Sequence, residues 1–293
     1  MKKIHFLTYL LMMTLFTNCS KNDDDSAPET SYRLATYTEN GIEFNIQYNA
    51  QNKPASFETY NISAPGNKIS NEVVYNSEGK ILSIGTNSYN YNTSGQIANS
   101  VSFGRSSTIV YDSQNRPIRV SGSGILSNPY VFQRDYVYSG SRVTSVLETG
   151  TVNTSTYHAR IDFSYNSQGN IILIESFSGT TPTNLTLQNS TSFTYDTKKN
   201  PWYKFFNEDM GNPNMFPICF YDSNKITGDF GQLATNRILY ICPNNILTKN
   251  TTSYPAGTTN TSNYSYTYND EDYPITKEVS SSSTTQYFSF TYN

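Results

Sequence analysis

Tyr165-Asn166-Ser167-Gln168-Gly169-Asn170-Ile171 decides how this chain folds, because close copies of it recur. Tyr75-Asn76-Ser77-Glu78-Gly79-Lys80-Ile81 and Tyr91-Asn92-Thr93-Ser94-Gly95-Gln96-Ile97 repeat the same order of an aromatic residue, an amide, a polar loop, glycine and an aliphatic residue. Three more copies end the loop with proline: Tyr48-Asn49 to Pro54, Tyr111-Asp112 to Pro117 and Tyr268-Asn269 to Pro274. With Tyr138 and Tyr195 added, the anchor tyrosines are 27, 16, 20, 27, 27, 30 and 73 residues apart. A period near 27 marks a repeated supersecondary unit.

Before each anchor, apolar residues alternate with polar ones, as in Phe44, Ile46 and Tyr48 or Tyr264, Tyr266 and Tyr268. Alternation with period two means a strand with one face on a core. Behind the anchor, Asn or Asp bonds its own backbone and Gly accepts positive φ, which is what a tight turn requires. Each copy therefore reads as strand, turn, strand, and consecutive copies give an all-β antiparallel meander. A flat sheet of that length exposes edges and aromatic surface, so a curled or wrapped sheet is expected. Ile171-Ile172-Leu173-Ile174 is apolar on both faces and points the same way. Phe288, Phe290 and Tyr292 alternate to the last residue and make a closing strand.

This pattern of Tyr-Asn or Tyr-Asp, loop, Gly and aliphatic residue resembles the YD repeat of Rhs-type proteins, whose strips of β-hairpins wind into a spiral or shell. The resemblance covers most of residues 44–293 outside the gap between Tyr195 and Tyr268. Placed behind a lipobox, the array is similar to small Bacteroidota-type surface lipoproteins of unknown function. The toxin encapsulation of large Rhs shells is not implied, since this chain lacks their length and terminal toxin.

Lys2 and Lys3, an apolar stretch from Ile4 to Phe16 and then Cys19 have the order of an export signal. The stretch falls short of the about 20 apolar residues that span a bilayer, so a cleaved lipoprotein signal over 1–18 is expected. Cys19 is the expected lipidation site and membrane anchor. Leu15-Phe16-Thr17-Asn18 departs from the usual lipobox at Phe16 and Asn18. Residues 19–31 form an acylated flexible tether too polar to order itself, with a reach of roughly 20 Å. Residues 32–293 form a single β-repeat domain with a non-repeat insertion at about 197–250. The 20 basic residues less Lys2 and Lys3 leave 18 against 23 acidic ones, a net −5, which argues against nucleic acid as a partner.

The insertion holds the only tryptophan, in Lys198-Lys199-Asn200-Pro201-Trp202-Tyr203-Lys204-Phe205-Phe206. Asn200 suits an N-cap and Pro201 the first helical position, so one short helix near 201–209 is expected. Trp202, Phe205 and Phe206 then share a face that plugs the curled sheet or, in the functional reading, offers a platform to a ligand. Trp202, Tyr203, Phe205, Phe206 and Tyr240 are the candidate ligand-binding residues. Cys219 and Cys242 are a disulfide candidate in an exported protein, or else two buried thiols.

No catalytic residue stands out. His158 shares its strand face with Arg160 and Asp162, away from Tyr157, Ala159, Ile161 and Phe163, and no nucleophile motif accompanies it. Glu208, Asp209, Asp270, Glu271 and Asp272 lie in polar, turn-like contexts. Neither a metal-ligand spacing nor a phosphate-cradling loop is present, so no metal or cofactor is expected. The expectation is a non-enzymatic outer-membrane or cell-surface lipoprotein acting as a binding or interaction module, with a glycan, peptide or envelope protein as partner. The alternatives are a glycan-binding lipoprotein of a polysaccharide-uptake system and a carboxylate-dependent hydrolase.

Overall fold

Tyr48, Tyr75, Tyr91, Tyr111, Tyr165 and Tyr268 each end a strand, whereas Tyr138 stands one residue before the end of its strand and Tyr195 lies within one. The computed structural model describes residues 32–102, 105–125, 129–210 and 242–293, and Arg33–Asn293 forms one compact unit. Its first strands are β1 (Leu34–Glu39), β2 (Ile42–Tyr48), β3 (Pro54–Asn61), β4 (Ile69–Tyr75), β5 (Ile81–Ile84) and β6 (Asn87–Tyr91). Next come β7 (Ile97–Ser102), β8 (Arg105–Tyr111), β9 (Pro117–Ile125), β10 (Pro129–Ser139), β11 (Arg142–Val152) and β12 (Ser155–Tyr165). The last are β13 (Ile171–Thr181), β14 (Asn184–Lys199), β15 (Asn244–Ser253), β16 (Thr258–Tyr268), β17 (Pro274–Ser281) and β18 (Thr285–Tyr292).

The local rule is the same at each copy. A register shift falls directly before the anchor, at Gln47/Tyr48, Val74/Tyr75, Asn90/Tyr91, Val110/Tyr111, Ser164/Tyr165 and Thr267/Tyr268. Each of these tyrosines then pairs with the residue six positions on, as Tyr48 does with Pro54 and Tyr165 with Ile171. Inside the turn, Asn166 Oδ1 accepts from the backbone of Gln168 and Asn170, and Asn76 Oδ1 from Glu78 and Lys80. The fourth residue after the anchor takes the left-handed region, at φ 75° for Gly79 and 60° for Asn52. Glycine and asparagine are selected there because other side chains collide with the backbone.

The tyrosine hydroxyls join neighbouring hairpins. Tyr75 donates to Pro54 O at 2.7 Å, Tyr91 to Ile81 O at 2.7 Å, Tyr138 to Pro117 O at 2.6 Å and Tyr195 to Ile171 O at 2.6 Å. In each case the acceptor is the partner of the preceding anchor. Cations add a second rung: Lys53 Nζ lies 5.4 Å from the Tyr75 ring centroid and Arg116 Cζ 4.6 Å from that of Tyr138.

All neighbours in sequence pair antiparallel into an 18-stranded sheet, and β1 also pairs with β18. The sheet is thus a closed barrel and not a curled or wrapped strip. The closing pair follows the repeat rule: Tyr292 pairs with Leu34, Asn293 N donates to Arg33 O at 2.9 Å, and Tyr48 donates to Leu34 O at 2.8 Å. The unit closes its own hydrogen bonding and holds its own core, which are the requirements of an independently folding domain.

The buried rings and aliphatics point inward, while others, such as Val110, Val137 and Leu147, are exposed. One core cluster joins Val120, Phe132, Val146, Ile161, Ile171, Phe193 and Ile246, and a second joins Leu34, Tyr37, Ile46, Val73, Phe205, Phe288 and Phe290. Gly122 and Gly150 leave room for the Phe132 and Tyr157 rings, which a Cβ at either position would strike. Arg134 and Glu148 form an ion pair at 1% exposure each, and Tyr157 donates to Glu148 at 2.7 Å. Hydroxyls, amides and exposed ion pairs occupy much of the outside, including Thr194–Thr248 at 2.7 Å, Thr267–Thr276 at 2.6 Å and Arg119–Asp135 at 2.5 Å. The expectation that Ile171–Ile174 is covered on both faces does not hold, because Ile172 is 37% exposed.

Candidate functional site

Tyr138 keeps a shorter hairpin, pairing with Val143 five positions on, but after Tyr195 the chain leaves the hairpin pattern altogether. β14 runs on to Lys199, and the chain enters β15 again at Asn244. Asparagines fasten the two limbs together. Asn200 Nδ2 donates to Cys242 O at 2.8 Å, Asn244 Nδ2 to Lys198 O at 2.9 Å and Asn245 Nδ2 to Lys199 O at 3.1 Å. Asn170, with no exposed surface, donates to Asn244 Oδ1 at 2.8 Å and accepts from its backbone at 3.1 Å. Amides suit this place because each both donates and accepts, which satisfies buried backbone that no ladder reaches.

From this clamp the expected helix departs. Asn200 Oδ1 caps the Trp202 amide at 3.0 Å, and α1 (Pro201–Lys204) continues into a wider π turn over Phe205–Asp209. The helix packs inside the barrel wall. Trp202 meets Tyr37 edge-on with centroids 5.2 Å apart, and Phe205 meets Phe57 edge-on at 5.9 Å. Lys204 holds Asp209 at 3.4 Å and Glu208 at 3.4 Å, with Arg33 Nε 3.8 Å from Asp209. Burial pushes the Asp209 carboxyl above its usual range, against the pull of Lys204 and Arg33.

The candidate residues separate here. Phe205 is 2% exposed and belongs to the core, so it offers no face to a ligand, whereas Trp202, Tyr203 and Phe206 stay half-buried. Cys242 is a buried thiol that accepts from Ile171 N at 3.4 Å, with its acidity weakened by burial to a pKa of about 11. Cys19, Cys219 and Tyr240 lie outside the described residues. His158 contacts Thr149 at 2.9 Å on the polar face. Asp272 and Glu271 meet Lys198 and Lys199 at 2.5 and 4.0 Å in the turn after β16. Among the described residues no group of three or more His, Cys, Asp or Glu gathers in a metal-binding arrangement.

Above the helix lies a feature that the motif reading missed. Lys277 of β17 is 5% exposed and points inward, paired in register with Tyr266 on one side and Phe288 on the other. Its ammonium stands 3.5 Å from the Phe288 centroid and 5.5 Å from that of Tyr37, and donates to the Tyr37 hydroxyl at 3.5 Å. Tyr37 in turn donates to Glu39 at 3.1 Å. Burial lowers the Lys277 pKa to about 8, partly offset by Glu39. The signal in the sequence is the parity of Lys277 with Val279, which puts a lysine on the apolar side of a strand, while Ile275 sits at the register shift and is 40% exposed.

No family model matches the chain, and no curated protein matches it. Among solved structures it is similar to a porin-like protein from Bacteroides vulgatus, with a TM-score of 0.48 and 11% identity over 89% of this chain and 99% of that one. A porin-like protein from Bacteroides uniformis gives a TM-score of 0.46 and 12% identity over 91% and 98%. The resemblance to YD-repeat, Rhs-type proteins is corrected by the closed ring, in which β1 pairs with β18 where a wound strip leaves two free edges.

Proposed function

We propose that this protein is a non-enzymatic lipoprotein of the outer membrane or cell surface, held by an acyl group on Cys19, whose barrel stands in water as a binding or interaction module. The observation that carries this reading is the polarity of the sheet. A barrel that crosses a membrane turns an apolar band outward and keeps a polar lumen. Here Phe132, Val146, Ile161 and Phe193 are inside at 5%, 0%, 0% and 4% exposure, while the outer face mixes ion pairs and hydroxyl pairs with exposed apolar residues such as Val110, Val137 and Leu147. In this reading the barrel's mixed outer face leaves membrane attachment to the acyl group on Cys19.

A rigid scaffold that fastens one irregular element is a common way to present a recognition surface. The half-buried rings of Trp202, Tyr203 and Phe206 are the contact residues in this reading, for a glycan, a peptide or an envelope protein. Two measurements test it. Cys19→Ala is expected to abolish incorporation of labelled palmitate and release the protein from membranes; unchanged labelling sinks the lipoprotein reading. Residues 32–293 are expected to retain a glycan or envelope-protein ligand that Tyr203→Ala weakens about tenfold, the size of a lost aromatic contact. Binding insensitive to Tyr203→Ala removes the helix from the site.

A further inference from the structure

The anchor tyrosines spend their hydroxyls on the frame, as Tyr75 and Tyr91 do at 2.7 Å. Tyr287 of β18 takes no part in it. Its side chain points outward, since the next residue along the strand is the buried Phe288. At 67% exposure it is the most exposed ring among the described residues, and within them it forms no hydrogen bond and no ring contact. Packing therefore does not account for a tyrosine at this position. Strand preference does not either, because threonine and serine meet it at the neighbouring outward positions Thr285 and Ser289.

The surface around the ring has a chemistry of its own. On β16, β17 and β18 the outward positions are Ser, Thr or Asn, interrupted only by Ile275 at its bulge, Glu278 and Tyr287. No lysine or arginine projects from these strands, because Lys277 is turned inward. Glu278 stands directly opposite Tyr287, and Ser265 opposite Glu278 on its other side. Side chains so paired have Cβ atoms about 4.5–5.5 Å apart, so ring, carboxylate and hydroxyl share one surface about 10 Å across. The side chains of Ser265, Glu278 and Ser289 form no hydrogen bond or ion pair among the described residues. In the next row Thr267 and Thr276 share one proton at 2.6 Å, which leaves the second hydroxyl proton free to donate outward.

We propose that this outer face of β16–β18 binds a neutral glycan, one pyranose ring stacked on Tyr287 and its neighbouring hydroxyls donating to the Glu278 carboxylate. The proposal rests on the binding-module reading, chooses the glycan from it and adds a contact region away from the helix. A pyranose offers a face of C–H groups and an edge of hydroxyls. The face packs on an exposed aromatic ring, and the edge needs acceptors and donors that the fold has not already used. A free carboxylate accepts two such hydroxyls through charge-assisted bonds. Charge decides the class of sugar: Glu278 repels a uronate or a phosphate, and no cation on these strands answers one. The surface is open at both sides, so a chain lies across it.

Calorimetric titration of residues 32–293 with cellohexaose, mannohexaose, xylohexaose and the acidic hexagalacturonate tests the proposal. At least one neutral sugar is expected to bind, and the acidic one about tenfold more weakly or not at all. Tyr287→Ala is expected to weaken the neutral sugar about tenfold or more, with the urea midpoint unchanged because the ring packs on nothing. Tyr287→Phe, which keeps the stacking face, is expected to retain most of the affinity. Glu278→Gln is expected to weaken the neutral sugar and narrow its margin over the acidic one. Binding of none of the sugars, binding of the acidic one as tightly as the neutral ones, or an affinity that survives Tyr287→Ala overturns the proposal. Neutral-sugar binding lost in Tyr203→Ala and kept in Tyr287→Ala also overturns it, while leaving the binding-module reading with its contact at the helix. Release from membranes in Cys19→Ala is independent of all of these.

Discussion

Asn166 shows how much of this fold one side chain carries. Its Oδ1 accepts two backbone amides, from Gln168 at 3.1 Å and Asn170 at 2.9 Å, and so shapes the turn that starts β13. Removing both bonds while the amides stay shielded costs about 1–2 kcal/mol, so Asn166→Ala is expected to lower the urea midpoint while Asn166→Asp, which keeps the acceptor, largely preserves it. Tyr165→Phe is expected to cost about 1 kcal/mol through the bond from its hydroxyl to Val143 O at 2.7 Å. An unchanged midpoint in both would show that the turn is set by Gly169 alone. These residues were legible in the sequence because an anchor, its amide and its left-handed fourth residue act within a few positions of one another. Lys277 was overlooked because it belongs to no motif; what marks it is its strand parity.

At the scale of elements, β10 and β11 hold the most tightly enclosed charges in the molecule, with Arg134 directly opposite Glu148. Such a pair gives little net stability, but loss of one partner strands the other. Glu148→Ala is therefore expected to cost about 3–5 kcal/mol, and Arg134→Met with Glu148→Leu to restore most of it. A double-mutant cycle in urea measures both, and additive losses would deny the pairing. Helix α1 was also legible, since Asn200, Pro201 and the ring spacing are local. The asparagine clamp was not, because Asn170 and Asn244 meet across 74 residues. Nor was closure: the strands identified themselves one hairpin at a time, while the choice between wrapped strip and ring depends on Leu34 meeting Tyr292.

Across the whole molecule, buried titratable groups shape stability in opposite senses. The folded state holds Lys277 with a pKa near 8, below the ordinary lysine value, and Lys249 is lowered too, so above about pH 8 the unfolded chain binds more protons. Stability therefore rises with pH through that window, by up to about 3 kcal/mol from Lys277. The tyrosines act the other way, since burial raises Tyr75, Tyr111 and Tyr138 to about 12. Above pH 10 the unfolded chain loses these protons first and stability falls. Urea midpoints are expected to rise from about pH 8 and peak near pH 10, with the rising limb flattened in Lys277→Met. A curve flat from pH 7 to 10 would show that water reaches the lysine.

The pairing of Asn293 with Arg33 carries a kinetic consequence. Each hairpin can zip from its own turn, as its loop is short and its closure costs little entropy. The seam between β1 and β18 joins opposite ends of the unit and has no turn to guide it, so it forms after the hairpins have brought its two edges together. Until then the nascent sheet is an open strip with two unpaired edges, the state in which chains of this kind are most exposed to one another. The hazard is briefest if Arg33 finds Asn293 quickly, and completion of the ring removes the edges altogether.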